Sequence, residues 1–251
     1  MRVKRTLVAG LVVLGAVSVA QAGWVIEENT VFTKPNGEAR PAEPATMRIS
    51  QGRIRLSQPS AVTVQDCVKG TFAIYVPDRN SYWSGTLDEY TAQIAAAGQD
   101  KGAKPSVPKI DVATLPKIEV KKTDDTAKIG GYDSVKYVIL SNGTTFQEIW
   151  MTKAFNVNDD LKPDNYLECQ RKMSVAMQGN AAGAFNALYR SPEYRELVTS
   201  GFPMKTVVYH SAGSYTREVR SVSRADVPDS DFSIPAGAHK KSLNDLFGPP
   251  Q

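Results

Sequence analysis

The sequence predicts an α+β fold built on a mainly antiparallel β-sheet. Three observations carry this. In residues 201–237, Met204, Thr206, Val208 and His210 alternate with Lys205, Val207 and Tyr209. After a Ser211-Ala212-Gly213-Ser214 turn, Tyr215, Arg217, Val219 and Ser221 alternate with Thr216, Glu218, Arg220 and Val222, which is a β-hairpin pattern. Asn142-Gly143 joins a second pair of alternating runs, because Asn and Gly tolerate the positive φ of a type I′ turn. Between these hairpins the apolar spacing changes to three and four residues, which predicts helices.

Residues 24–32 are the first strand candidate, broken by Lys34-Pro35-Asn36-Gly37; Pro41 and Pro44 keep the next stretch irregular. Met47, Ile49, Ile54 and Leu56 flank Ser50-Gln51-Gly52 and share one face of a hairpin. Arg48, Arg53 and Arg55 take the other face and read as a solvated sheet surface. Strands follow over 61–66, 71–76 and 81–84, the last two joined by a Pro77-Asp78-Arg79-Asn80 turn. Leu87, Tyr90, Ile94 and Ala97 fall at helical steps, so 87–97 is a short helix. Residues 99–116 are rich in Gly, Lys and Pro and read as a mobile surface excursion. Strands resume over 117–123, followed by segments 128–131 and 132–140, and again over 145–151. A helix over 158–178, capped by Asn158 or Asp159, presents Tyr166, Cys169, Met173 and Met177 as one stripe. A second, over 182–199, carries Phe185, Leu188, Tyr189 and Leu197, with Ser191-Pro192 as an allowed interruption. Val227 to Pro235 reads as a turn and a short segment anchoring Phe232 and Ile234.

The chain starts with a targeting pattern. Arg2, Lys4 and Arg5 precede an apolar run over 7–19, and Ala20-Gln21-Ala22 is a small-x-small cleavage site. The expected organisation is a signal peptide over 1–22, one domain over 23–240 and a C-terminal tail over 241–251. The mature product is expected in the periplasm or secreted, with no transmembrane segment. Removing Arg2, Lys4 and Arg5 takes the formal charge from +4 to +1, which leaves no electrostatic footprint for nucleic acid. The cysteines are Cys67 and Cys169. An even count in an exported chain favours a disulfide; two buried free thiols are the alternative.

An ordered set of segments resembles a known family. These are Ile129-Gly130-Gly131-Tyr132, Val135-Lys136-Tyr137, Glu148-Ile149-Trp150-Met151-Thr152-Lys153, Gly201-Phe202-Pro203-Met204, and the run from Asp226 to Gly237. They resemble an uncharacterised family of exported bacterial proteins. That family is similar in fold to the LolA/LolB outer-membrane lipoprotein carriers and the RseB sensor domain. The resemblance implies a strongly curved, open antiparallel sheet, a half-barrel with helices on its concave face, where the carriers hold acyl chains.

No catalytic constellation is legible. Gly-x-Ser-x-Gly, His-Glu-x-x-His and phosphate-binding glycine loops are missing from the sequence, and Asp226, Asp229 and Asp231 lack calcium-loop spacing. His210 with Ser211, Ser214 and Asp226 reads as turn chemistry. No cofactor or metal site is expected. Two functions lead, with an enzyme of unknown type as a minor alternative: a non-enzymatic carrier or binder of a lipid or other apolar ligand, and an interaction or sensor module for an envelope protein. For the first, Tyr75, Tyr137, Ile139 and Trp150 of the sheet would face Tyr166, Met173, Met177 and Phe185 of the helices across a cavity. The alternative is that these residues interdigitate as ordinary core. N-terminal sequencing of the exported protein should give Gly23; an intact Met1 on a membrane-bound product would refute the targeting pattern.

Overall fold

The computed structural model describes residues 22–97, 110–175 and 180–248. The predicted signal peptide apart from Ala22, residues 99–109 of the surface excursion, and Met177 lie outside them. In chain order, β1 (Ala22–Thr33), β2 (Glu43–Ser50), β3 (Arg53–Ser57), β4 (Val62–Asp66), β5 (Thr71–Val76) and β6 (Ser81–Thr86) precede α1 (Leu87–Ala97). Then come β7 (Ile118–Ile129), β8 (Tyr132–Ser141) and β9 (Thr144–Thr152). Four helices follow: α2 (Asn158–Leu161), α3 (Pro163–Ser174), α4 (Asn180–Arg190) and α5 (Pro192–Thr199). The chain returns through β10 (Phe202–His210), β11 (Gly213–Asp226), β12 (His239–Lys240) and α6 (Leu243–Phe247).

Among the described residues, all twelve strands join one sheet in the order β12-β6-β5-β4-β3-β2-β1-β11-β10-β9-β8-β7. Only β12 with β6 is parallel. The end strands β12 and β7 do not pair with each other, so the sheet is open, as expected. β1 sits in the middle, holding β2 on one side and β11 on the other. The curvature is strong enough to bring the β7–β8 turn back over β11. Gly130 there has φ +56°, and a Cβ on it would lie 3.1 Å from Met204 Cε and 3.2 Å from the Val219 carbonyl. Only a glycine meets both the left-handed backbone and that approach. The free edge β7 carries Lys121, Lys122, Asp124 and Asp125, all exposed, which blunts pairing with another chain.

The turn signals act where the sequence places them. Asn142 and Gly143 have φ of 49° and 79° between β8 and β9. Lys162 at φ 55° separates α2 from α3, and Pro163 opens α3. Ser191 caps α5 by accepting from the Tyr194 N–H at 3.2 Å, with Pro192 at the first helical position. The long predicted helices are therefore each two helices.

The arginine face departs from the solvated surface expected of it. The segment after β11 lies across it. Arg53 meets Asp229 at 2.7 Å and stacks on Phe232 at 4.3 Å. Arg48 pairs with Asp231 at 3.2 Å, and Arg55 donates to the Asp231 carbonyl at 2.7 Å. Acidic residues that read locally as turn formers are here the counter-charges of strands about 180 residues earlier. The chain then adds β12 to β6, and Leu243 and Leu246 of α6 are buried beside Trp83 and Leu87. The region read as a tail thus contributes to the core.

The concave face is covered in three clusters. Ile26, Ile49, Phe202 and Met204 form the central one; Ile139, Ile149, Leu188 and Leu197 lie towards β8. The third surrounds a disulfide between Cys67 and Cys169, with Cα atoms 5.5 Å apart. The bond ties α3 to the turn between β4 and β5. It spans a separation of 102 residues, so loop-entropy models give about 4–5 kcal/mol of stabilisation. Denaturant unfolding with and without reductant should show a loss of that order, and equal midpoints would refute a stabilising bond.

Candidate functional site

Two central strands each carry one charge on their apolar face. On β1, Ile26, Glu28 and Thr30 alternate inward and are all buried. On β11, Arg217 shares a face with buried Val219. The register pairs Thr30 with Arg217 and Glu28 with Val219, so the two charges lie on a diagonal across the strand pair. A bulge falls at the same place: Glu27 pairs with Ser221 and Glu28 with Val219, leaving Arg220 over. The extra residue shifts the alternation, so Val222 rather than Ser221 rejoins the inner side against the central cluster.

Arg217 Nε lies 3.1 Å from Glu28 Oε2. The contact is ionic but not aligned as a hydrogen bond, and neither Glu28 oxygen has a donor among the described residues. Glu28 is 1% exposed, whereas the Arg217 side chain keeps 28% exposure. Arg217 forms part of the wall of a cavity of about 220 Å³ between the sheet and the helices. Met47, Ile49, Ile54, Leu56 and Phe202 line it from the sheet, and Leu161 and Val198 from the helices. Tyr166 of α3 and Tyr194 of α5 bring phenol rings to it. At its β4 side, Gln170 Nε2 donates to Gln65 Oε1 at 3.0 Å. Gln170 follows Cys169, so the disulfide and this amide bridge together hold the α3 side of the cavity against the sheet.

The electrostatics are those of a partly enclosed pocket with one ion pair. Burial raises the Glu28 carboxyl above the usual carboxylate range, and the Arg217 guanidinium partly offsets this. Burial alone would lower Arg217; Glu28 and the surrounding tyrosines more than reverse it, leaving the guanidinium raised. Burial likewise raises the Tyr166 phenol, and Tyr189 and Tyr194 still further. Removing one member of such a pair costs about 3–5 kcal/mol, because the other charge stays buried.

Of the eight residues expected around a cavity, Tyr166 lines this one. Tyr137, Ile139 and Phe185 lie in or against the second cluster, with the Phe185 ring 4.8 Å from that of Phe146. Met173 packs against the disulfide cluster. Tyr75 lies on the face opposite Ile74 and donates to Asn80 Oδ1 at 3.2 Å. Trp150 is paired with Lys136 and Lys205, whose ammonium groups sit 5.1 and 5.4 Å from its ring centre. Met177 lies outside the described residues. Sequence reasoning passed over Glu28 and Arg217. The signal available was a charge in step with Ile26 on one strand and with Val219 on another. His210 stacks on Phe32 at 5.7 Å, and its Nδ1 accepts from the Ala212 N–H, which is turn chemistry.

The opposite sheet face has a shallower depression of about 620 Å³ lined by Arg53, Asp66, Lys69, Glu89, Asp229 and Lys240. Its charges are largely matched within the chain, as in Arg53–Asp229 and Lys69–Asp66.

A phenol raised in the folded state contributes stability that is whole below its unfolded value, near pH 10, and is lost as pH rises through the folded value. In an alkaline titration, Tyr189 and Tyr194 should therefore stay un-ionised until the protein unfolds. Ionisation of all ten tyrosines near pH 10 with the fold intact would contradict this burial.

No helix among the described residues is long and apolar enough to cross a membrane. No curated protein matches the chain. Three of the solved structures similar to it show the range. PNGF-II in its C2 crystal form has 18% identity and a TM-score of 0.39 over 89% of this chain, which spans 31% of that one. The MucA/MucB complex of Pseudomonas aeruginosa has 12% identity and a TM-score of 0.37, covering 86% of this chain and 57% of the other. A domain from Vibrio parahaemolyticus named for outer membrane lipoprotein sorting has 10% identity and a TM-score of 0.33, covering 84% and 89%. A family model matches residues 112–238, which include Tyr166, Tyr194, Phe202 and Arg217 of the cavity; the chain belongs to that family, described as Domain of unknown function (DUF4412).

Proposed function

We propose that this is a non-enzymatic binding protein of the bacterial envelope that holds one small, largely apolar ligand in the concave-face cavity. The observation that carries this reading is the cavity itself. Protein interiors pack near crystal density, and space lined by Met47, Ile49, Ile54 and Phe202 at a helix–sheet junction costs stability. Its 220 Å³ falls below the roughly 300–1,000 Å³ of drug-sized sites, so it suits a single short chain rather than a whole lipid. The envelope location rests on the targeting pattern at the start of the chain and on a disulfide that an oxidising compartment would preserve.

Native mass spectrometry after gentle purification tests the reading directly. A co-purifying apolar small molecule supports it, and a co-purifying envelope protein without one favours the interaction module instead. A pair of substitutions gives a second test. Leu56 is half-buried on the cavity wall, and Leu56→Trp should abolish uptake of a fluorescent fatty acid while the melting temperature holds. Ile139 is fully buried, and Ile139→Trp should cost about 1–3 kcal/mol by overpacking. Equal destabilisation by both, with no wild-type uptake, would sink the cavity reading.

A further inference from the structure

We propose that the cavity takes a single-chain amphiphile with one anionic head, that Arg217 receives the head, and that Glu28 takes up a proton from water as the head arrives. This rests on the binding-protein reading above and deepens it.

The argument starts from charge balance. The site holds one cation and one anion, at 3.1 Å, in a region that buries Glu28 almost completely. Glu28 is not part of the cavity wall, while Arg217 is. Arg217 has five N–H donors, and its one ion pair among the described residues uses Nε, leaving the fork of the guanidinium for a second acceptor. The apolar wall of Ile49, Ile54, Leu56 and Phe202 continues from it, which suits a chain attached to such a head.

A second anion cannot simply be added. Two carboxylate-like charges flanking one guanidinium leave the pocket with a net negative charge, and low dielectric penalises it. Besides Glu28, the titratable groups acting on Arg217 are Tyr166 of α3, Tyr194 of α5 and Tyr215 on β11 itself, all phenols, and burial raises the first two. None supplies a compensating cation. Glu28 is the group able to restore neutrality, since among the described residues its oxygens accept no hydrogen bond and Arg217 is its one counter-ion. Burial already favours its protonated form. The step balances as one carboxylate and one proton from bulk water giving one carboxylic acid, while the incoming head replaces Glu28 as the counter-ion of Arg217.

Linkage then fixes the sign. If the bound state holds one more proton than the free state, affinity rises as pH falls, by up to about tenfold per pH unit between the free and bound titration points of Glu28. The probes are octyl sulfate, octanoate and octanol, titrated calorimetrically into the full mature protein from pH 8 to pH 6. Octyl sulfate does not titrate in this range, so any pH dependence it shows belongs to the protein. Octanoate separates a carboxylate preference from a general anion preference. Both anions should bind at least about tenfold more tightly than octanol at pH 6, and repeating the titration in buffers of different ionisation enthalpy should reveal proton uptake. Glu28→Gln should flatten the pH dependence and strengthen anion binding at pH 8. Arg217→Gln should remove the preference for anions over octanol. The wild-type comparison needs neither variant to fold. Octanol binding as well as octyl sulfate, or anion binding without pH dependence or proton uptake, would overturn this proposal and leave the cavity reading standing. Failure of all three probes to bind would overturn both.

Discussion

The distance between the sheet and the helix layer is the constraint on which this structure depends. An open, curved sheet has a concave face to cover, and short helices alone could settle at several depths on it. The Cys67–Cys169 bond removes that freedom where α3 meets the sheet. The bridge from Gln170 to Gln65 continues the spacing by one residue, and Tyr166, one helical turn earlier, reaches the cavity. Packing on the far side is of the ordinary kind, with Leu188 and Leu197 against Ile139 and Ile149. The cavity lies between a fixed support and a packed one, which lets it persist despite the tendency of apolar interiors to close up.

The charges are placed with the same economy of position. Glu28 and Arg217 lie on adjacent central strands, next to the bulge that changes the phase of β11. On the reverse face, arginines of β2 and β3 are neutralised by the segment that follows β11. Both sets use a residue far away in sequence to satisfy a charge that its own strand cannot. The outer set is partly solvated and therefore contributes modestly. The inner pair has its carboxylate fully buried, so the same Coulomb interaction weighs more there and its imbalance would cost more.

Local chemistry was legible in the sequence and distant pairing was not. Asn142-Gly143, Ser191-Pro192 and the period change at Leu87 report on a few neighbouring residues, and each marks a turn, a cap or a helix start in the structure. The exchange of Ser221 for Val222 on the inner face depends on a partner strand about 190 residues away, which no window on β11 contains. The cavity suffered from the same limit. Large apolar residues such as Tyr166 could be nominated for a helix stripe, but periodicity cannot say which of them meet a neighbour and which meet a gap. Glu28 was visible as a charge among Trp24, Ile26 and Thr30, yet its meaning came only with Arg217 beside it.

The central position of β1 has a consequence for how the chain reaches this state. β2 to β6 can zip together through short turns, and so can β7 to β9; β1 and β11 must meet across nearly the whole sequence. Such non-local closure is slow, because chain entropy is lost before the contacts that repay it form. The seam is also where a slip would do most harm. Moving β1 by one residue relative to β11 would turn Glu28 out and put Glu27 or Asn29 in its place, facing the wrong neighbour. The buried pair therefore acts as a registration mark: the two halves of the sheet bring Glu28 and Arg217 side by side in one alignment.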